Sequence, residues 1–188
     1  MSRTEVKEFL NDSIETTTQL LNDILEFTRG TTRVDPVTGS WSQLISRRLE
    51  LVRLDLQKQQ VEPAIEADDD LNLYPDADRI FRVIRNLYKN AGEALQQAGR
   101  TDGRVTVGAS RQNGVTRVWV ADNGTGLPPE VQDKLFQPFA TKGKVGGTGF
   151  GLAIARQLVE AHHGTIDVDS GPSGTTFTIS IPNGEHAD

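Results

Sequence analysis

The sequence predicts an α+β fold in which helices cover one face of a mostly antiparallel sheet. Helical and strand periodicities are mixed along the chain, and two pairs of strands follow one another as hairpins. The length of 188 residues, 36% of them hydrophobic, suits one compact domain with a short appendage. No apolar run approaches the roughly 18 residues that a membrane-spanning helix needs.

The first part of the chain predicts two helices joined by a linker. An amphipathic stripe covers 4–29, and because nothing nearby in sequence covers it, we expect a partner helix from a second chain. Packing against the chain's own domain is the alternative. The stripe consists of apolar residues at helical spacing, namely Val6, Phe9, Leu10, Ile14, Leu21, Ile24, Leu25 and Phe27. Residues 31–40 are rich in turn formers, and 40–60 again show helical spacing with Ser40 as N-cap.

The second part of the chain predicts the sheet and the helices that cover it. Strands are predicted at 61–67, 104–110, 115–121, 165–169 and 175–181, and helices at 76–98 and 152–163. An Asn-Gly turn separates the second and third strands, which favours a tight hairpin. The helix at 76–98 buries a stripe formed by Ile80, Val83, Ile84, Leu87, Ala91 and Leu95.

Composition excludes several classes of protein. The chain has no cysteine, which removes disulfide scaffolds, zinc–thiolate centres, iron–sulfur clusters and thiol catalysis. Its 20 Lys and Arg residues against 26 Asp and Glu residues give a net charge of −6, which speaks against a broad nucleic-acid surface. No signal peptide opens the sequence, so we expect a cytoplasmic location, while membrane anchoring of a parent protein stays open.

Glycines are concentrated where the sequence predicts a ligand. Ten of the 18 glycines lie between Gly124 and Gly174. The densest run, 146–151, leads into a predicted helix, where free backbone N–H groups and the helix dipole bind anions. The run is neither a P-loop nor a dinucleotide fingerprint, and alone it is equally typical of a flexible loop.

Two further elements carry polar side chains that suit a nucleotide. Asp122 follows a predicted strand beside Gly124 and Gly126, and its carboxylate is an acceptor for the exocyclic amino group of adenine; an ordinary turn is the alternative. Asn86 and Asn90 are four residues apart and share one helix face at the edge of the core. Amide oxygens are suitable ligands for Mg²⁺, and a capping or solvent-facing pair is the alternative.

In this order the elements resemble the catalytic ATP-binding domain of sensor histidine kinases, within the wider family of gyrase, Hsp90 and MutL ATPases. The resemblance extends over about 40–182. It rests on stretches similar to the family's N, G1, F, G2 and terminal glycine boxes: Asn86–Leu95, Asp122–Gly126, Phe136–Lys142, Gly147–Leu152 and Gly174–Phe177. It implies the Bergerat (GHKL) two-layer α/β sandwich, a mixed sheet with helices on one face, preceded by a long N-terminal helix.

The resemblance also implies residue roles. Asn90 would bind Mg²⁺, with Asn86 as a neighbouring phosphate or metal contact, and Asp122 would hold adenine with a water and Gly126. The implied nucleotide-binding positions are Asn86, Asn90, Asp122, Gly124, Gly126, Lys142, Gly147, Thr148, Gly149, Gly151, Leu152 and Thr175.

A lid over the nucleotide is implied at about 129–146. Phe136 and Phe139 would anchor it, with plain core packing as the alternative, and Lys142 would reach the outer phosphates. Many relatives carry a basic residue where this chain has Glu93, so neutralisation of phosphate charge is expected to depend more on Lys142.

The residue at position 86 indicates whether the site hydrolyses ATP. ATPases of this family carry a glutamate at that position, one turn before the metal-binding asparagine, and asparagine cannot act as a general base. The site is therefore expected to hold ATP without rapid hydrolysis. No residue is assigned as catalytic, and Asn90 and Lys142 would assist phosphoryl transfer.

The acceptor histidine of the family is missing from the expected place. The chain has only His162, His163 and His186, and the first two end a helix, where imidazole suits the negative dipole. Residues 1–30 therefore resemble only the second helix of the dimerisation hairpin. We expect a kinase fragment that begins just after its phosphoacceptor helix.

We therefore predict a partial dimerisation helix at 1–30, a linker at 31–40, an ATP-binding catalytic domain at 41–182 and a tail at 183–188. The expected function is transfer of the γ-phosphoryl of Mg-ATP to a histidine outside this chain. Expected partners are the hairpin that carries this histidine, a response regulator receiver domain and a second copy in a homodimer, with no nucleic acid.

Two alternatives are retained. One is an anti-sigma-type protein serine kinase, a class that usually lacks the long N-terminal helix. The other is a non-catalytic phosphotransfer scaffold with a decayed nucleotide site, against which Asn90, Asp122 and the glycines speak.

Overall fold

The computed structural model describes 76–138 and 149–182, the short stretches 39–40, 62–67 and 72–73, and scattered helical positions between 6 and 28. Several predictions fall outside these residues and stay predictions: the helix after Ser40, the lid beyond 138, the tail, Phe139, Lys142, Gly147, Thr148 and His186. No helix in the described part of the chain combines the length and apolar composition needed to cross a bilayer.

Five strands form one mixed sheet. The strands of the chain are β1 (Gly39–Ser40), β2 (Glu62–Ala67), β3 (Asn72–Leu73), β4 (Arg104–Gln112), β5 (Val115–Asp122), β6 (Thr165–Gly171) and β7 (Gly174–Pro182). The sheet order is β2-β4-β5-β7-β6, and β1 pairs separately with β3. Strand β2 runs parallel to β4, whereas the other neighbours in the sheet are antiparallel. The five predicted strands are confirmed, and the end of the predicted linker forms β1.

The turn between β4 and β5 explains why both strands are longer than predicted. Asn113 and Gly114 have positive φ angles of 53° and 73°, and pairing continues up to Gln112 and Val115 on either side. A two-residue turn with two positive φ angles matches the right-handed twist of the strands, so the ladder extends to the turn itself.

Helices cover one face of the sheet, as predicted. They are α1 (Ala77–Gln97), the single turn α2 (Pro129–Gln132) and α3 (Gly151–Ala161). Asp76 caps α1 by accepting a hydrogen bond from the Arg79 N–H at 3.2 Å, and Gly99, with φ +64°, follows the C-cap. The buried face of α1 contains the predicted residues together with Tyr88, and it packs with Val105, Val107, Val118, Val120 and Ile179 of the sheet.

The N-terminal helical positions have two environments. Leu20 and Ile24 are partly buried against the core of the domain. In contrast, Val6, Leu10, Ile14, Leu21 and Leu25 are between 41% and 64% exposed. The alternative of packing on the chain's own domain therefore holds for Leu20 and Ile24, and the partner helix for the exposed face stays a prediction.

His162 joins the beginning of α1 to the end of α3. Its Nδ1 lies 2.7 Å from the Leu158 carbonyl oxygen, and its Nε2 accepts a hydrogen bond from the Asp76 N–H at 3.2 Å. These partners assign the proton to Nδ1 of a neutral ring. Burial lowers the pKa of His162. The His162 ring therefore interacts with the end of α3 through a hydrogen bond to Leu158. The sequence had instead indicated a ring that suits the negative end of the helix dipole.

The stability of the fold should depend on pH through His162. Because the folded state holds the pKa of this ring below its ordinary value of about 6.5, the unfolded chain binds a proton at higher pH. The free energy of unfolding should therefore fall as the pH decreases below about 6.5. Chemical denaturation between pH 5 and 8 measures this slope.

The slope should be smaller in His162→Gln and unchanged in Asn113→Gly, a control at the exposed turn between β4 and β5, where φ is already +53°. Equal slopes in His162→Gln and the unsubstituted chain would show that His162 does not titrate as described.

Candidate nucleotide site

Two groups of predicted site residues lie at different points along α1. At one end, the Asn86 side chain donates a hydrogen bond to the Gly151 carbonyl of α3 at 3.2 Å. At the other end, a Cβ added to Gly124 would lie 3.7 Å from Cδ2 of Leu95. Asn86 and Leu95 are about 13 Å apart along the helix axis. A ligand that contacts both ends must therefore be elongated.

The carboxylate of Asp122 is fixed through one of its two oxygens. Oδ1 accepts hydrogen bonds from the Gly124 N–H at 2.9 Å and from the Thr175 N–H at 3.3 Å. Within 76–138 and 149–182, no residue donates a hydrogen bond to Oδ2. Burial raises the pKa of Asp122, and the two backbone hydrogen bonds oppose that shift with smaller effects. The side chain thus presents one oriented acceptor, Oδ2, to a ligand.

Three glycines near Asp122 are required by contacts within the chain. A Cβ on Gly126, where φ is +75°, would collide with the Gly171 carbonyl, and one on Gly174, where φ is +137°, would collide with the Asp122 carbonyl. A Cβ on Gly124 would lie 2.8 Å from Oδ1 of Asp122. The loop after β5 and the β6–β7 turn therefore approach each other backbone to backbone. The sequence attributed these glycines to ligand approach, and the structure adds this second reason.

Asn86, Asn90 and the beginning of α3 form the second end of the site. Asn86 and Asn90 are both half-buried on one flank of α1, as their spacing predicts. Phe150, the N-cap residue of α3, makes no side-chain capping hydrogen bond, so its side chain does not pair with the first N–H groups of the helix, which include those of Gly151 and Leu152. Asn86 thus positions a helix N-terminus that favours anions.

Asn123 positions the loop that follows Asp122, a role that motif reasoning missed. Its Oδ1 accepts a hydrogen bond from the Arg104 N–H at 2.7 Å, and its Nδ2 donates one to the Asp102 carbonyl at 2.9 Å. Its own N–H also donates to the Arg104 carbonyl at 3.3 Å. The Asn123 side chain therefore connects the loop to the beginning of β4. From the sequence, an asparagine at this position indicated only a turn.

Ser170 was also missed, and it links the loop to Thr175. The Leu127 N–H donates a hydrogen bond to Oγ of Ser170 at 2.8 Å, and this oxygen lies 3.0 Å from Oγ1 of the buried Thr175. A signal was present in the sequence, since Ser170 continues the alternation of Ile166 and Val168, which pack against the core. A serine at such a register needs a hydrogen-bond partner.

The first half of the predicted lid is attached to α3 and β7. The Phe136 ring packs edge-on to Phe177 with centroids 6.4 Å apart, and the Arg156 guanidinium carbon lies 5.8 Å from its centroid. Phe136 also packs against the buried core. Core packing, the alternative for Phe136, therefore holds, and its role as a lid anchor stays a prediction.

Glu93, the departure noted in the sequence, forms an ion pair. Its carboxylate lies 3.9 Å from the ammonium of Lys89, one turn earlier on α1. Lys89 is largely exposed, so the pair contributes little to stability. The pairing does place a positive charge beside Glu93.

The chain is similar to known proteins in sequence and in fold. Residues 75–185 match the family described as histidine kinase-, DNA gyrase B-, and HSP90-like ATPase. Over 151 residues the chain is 40% identical to the sensory histidine kinase/phosphatase NtrB of Vibrio alginolyticus. That match covers 74% of this chain and 42% of NtrB. The chain thus spans less than half the length of this curated relative.

Two solved structures have the same fold. Full-length ShkA in complex with AMPPNP is 25% identical, with a TM-score of 0.82 over 96% of this chain and 38% of ShkA. Histidine kinase ThkA in complex with the response regulator protein TrrA is 23% identical, with a TM-score of 0.78 over 98% of this chain and 53% of ThkA.

The hydrogen bonds of Asn123 should contribute to stability. Asn123→Ala leaves the Arg104 N–H and the Asp102 carbonyl without these partners, so we expect the free energy of unfolding to fall by about 1–2 kcal/mol. Asn113→Gly, at the exposed turn where φ is already positive, is the control and should change it by less than about 0.5 kcal/mol. Urea denaturation measures both, and equal stability of the two variants would contradict the assignment.

Proposed function

The chain belongs to the family of histidine kinase-, DNA gyrase B- and HSP90-like ATPases, and we propose that it binds Mg-ATP and transfers the γ-phosphoryl group to a histidine on another polypeptide. Two groups of residues that lie at different points along α1 support this proposal. Asp122 presents an oriented acceptor at one end, and at the other end Asn86 holds a helix N-terminus whose N-cap residue makes no side-chain capping hydrogen bond. An adenine base and a triphosphate are chemically matched to these two ends.

The base end favours adenine over guanine. Oδ2 of Asp122 is an acceptor, and adenine carries an amino donor where guanine carries a carbonyl oxygen. Guanine would place its oxygen against a carboxylate oxygen, which leaves both acceptors unpaired at considerable cost. Thr175 lies on the neighbouring strand, and its N–H already holds the other oxygen of the carboxylate.

The end of the site near Asn86 and Asn90 would bind Mg²⁺ through few protein ligands. No group of three or more His, Cys, Asp or Glu side chains that could hold a metal ion occurs in the described part of the chain. Mg²⁺ commonly uses one or two protein oxygens and completes its shell with water and phosphate oxygens. Asn90 would supply that protein oxygen, with Asn86 beside it, and the bound ion would neutralise phosphate charge.

The residues favour transfer to a protein over hydrolysis. Asn86 stands where the ATPases of the family carry a glutamate, and it already donates a hydrogen bond to Gly151. An amide cannot take a proton from water at neutral pH. Lys142 would assist by pairing with the outer phosphates, and residues 147–152 would surround them with backbone N–H groups.

The described histidines do not suit the acceptor role. Both ring nitrogens of His162 have hydrogen-bond partners and the residue is buried. His163 follows it at the end of α3, remote in sequence from the exposed apolar face of the N-terminal helical positions. The acceptor would therefore lie on a hairpin helix outside this chain, paired with that exposed face in a homodimer.

A response regulator receiver domain is the proposed downstream partner. The fold of this chain is shared with ThkA, which was solved with the response regulator protein TrrA. The match to ShkA covers 96% of this chain, N-terminal helical positions included, which favours a histidine kinase over an anti-sigma-type serine kinase.

Asp122→Asn should weaken ATP binding without destabilising the fold. Because burial raises the pKa of Asp122, its ionised form costs stability at neutral pH, so a neutral amide should leave the free energy of unfolding equal or higher. Oδ1 of the amide still accepts from Gly124 and Thr175, but the second position becomes a donor. ATP affinity should fall by about 10- to 150-fold, as measured by calorimetry.

Asp169→Asn on the exposed face of β6 is the matched control and should retain ATP affinity. Unchanged affinity in Asp122→Asn would remove this residue from the base site.

Phosphoryl transfer should require a second polypeptide. With γ-labelled Mg-ATP the chain alone should form no stable phosphohistidine and should hydrolyse ATP slowly, yet it should label a separately supplied hairpin that carries the acceptor histidine. Asn90→Ala should slow this transfer about a hundredfold. The same hairpin with glutamine in place of its histidine is the control, and label on a histidine of this chain would contradict the proposal.

A further inference from the structure

We propose that Ser170 is a positioning residue for base recognition, since it sets the direction in which the Thr175 hydroxyl donates its hydrogen. The inference rests on the proposed function, because it concerns how the same site reads an adenine base. Ser170 is contributed by β6, a strand in which the family resemblance identified no functional residue.

The hydrogen bonds of Ser170 define a short chain of donors. The Leu127 N–H can only donate, and it donates to Oγ of Ser170 at 2.8 Å. Within the described residues the only other partner of Ser170 is Oγ1 of Thr175, at 3.0 Å. Either hydroxyl of this pair could donate to the other. If a ligand accepts the Thr175 hydrogen, the Ser170 hydrogen can point to Oγ1 of Thr175, and both hydroxyls are then paired.

This direction leaves the hydrogen of Thr175 available to a ligand. When Thr175 accepts from Ser170, its own hydroxyl hydrogen has no other partner among residues 76–138 and 149–182. The same residue donates its backbone N–H to Oδ1 of Asp122. The base site therefore contains an acceptor, Oδ2 of Asp122, beside a donor, the Thr175 hydroxyl. This combination matches the amino group of adenine and the ring nitrogen next to it.

Ser170 also lies where the two loops of the base end meet. The backbones of Gly126 and Gly171 leave no room for a Cβ between them, and the backbones of Gly174 and Asp122 are equally close. The Leu127–Ser170 hydrogen bond joins the same two segments. The loop after β5 is thus held at a fixed distance from Thr175, so that loss of the Ser170 hydroxyl changes both the spacing and the donor direction.

The test compares ATP with ITP, which carries an oxygen in place of the 6-amino group. Ser170→Ala should lower ATP affinity about five- to tenfold and should lower the ratio of ATP to ITP affinity by a similar factor. Ser170→Thr, which keeps the hydroxyl, should restore both. Ser180→Ala, on the opposite face of the neighbouring strand β7, is the matched control and should change neither.

These measurements test the role of Ser170 separately from the proposed function. Unchanged ATP affinity in Ser170→Ala, with normal binding by the unsubstituted chain, would overturn the role of Ser170 and leave the proposed function intact. An equal loss for ATP and ITP together with a lower melting temperature would show a purely structural contribution and would also overturn it. Absence of ATP binding by the unsubstituted chain would overturn the proposed function itself.

Discussion

The double hydrogen bond to a single oxygen of Asp122 determines the arrangement of the base end. Two main-chain N–H groups, from Gly124 and Thr175, hold Oδ1 and thereby orient Oδ2. Keeping a half-buried carboxylate ionised has a cost, which the raised pKa of Asp122 reflects. The close approach of the surrounding backbones, which requires glycine at 124, 126 and 174, makes the double contact possible. The fold of this region and the proposed recognition of a base therefore depend on the same few atoms.

A single helix sets the distance between the two ends of the site. Because α1 is packed on the sheet along its whole apolar face, Asn86 and Leu95 cannot change their separation without disrupting the core. The contact of Asn86 with Gly151 then fixes where α3 begins. At the far side of this pair of helices, His162 joins the end of α3 to the beginning of α1. Both ends of the helix pair are thus fixed by side chains that bridge distant parts of the sequence.

Local patterns predicted most of the elements but few of the long-range contacts. The helical spacing of Ile80 to Leu95 and the Asn-Gly turn are local signals, and both are confirmed. The parallel pairing of β2 with β4 joins segments separated by a whole helix, and no local pattern specifies it. The same holds for Asn86 with Gly151, 65 residues apart, and for Asp76 with His162, 86 residues apart. The contact of Ser170 could have been predicted, because a polar residue at a core-facing position of a strand needs a hydrogen-bond partner.

We propose that the chain recognises an adenine base at Asp122 and holds a magnesium-bound triphosphate near Asn86 and Asn90 of α1. The most direct measurement is isothermal titration calorimetry with non-hydrolysable analogues of ATP and GTP, each with and without Mg²⁺. We expect saturable heat with the adenine analogue, tighter binding when Mg²⁺ is present, and no comparable binding of the guanine analogue. No heat with the adenine analogue, or equal affinity for both bases, would contradict it.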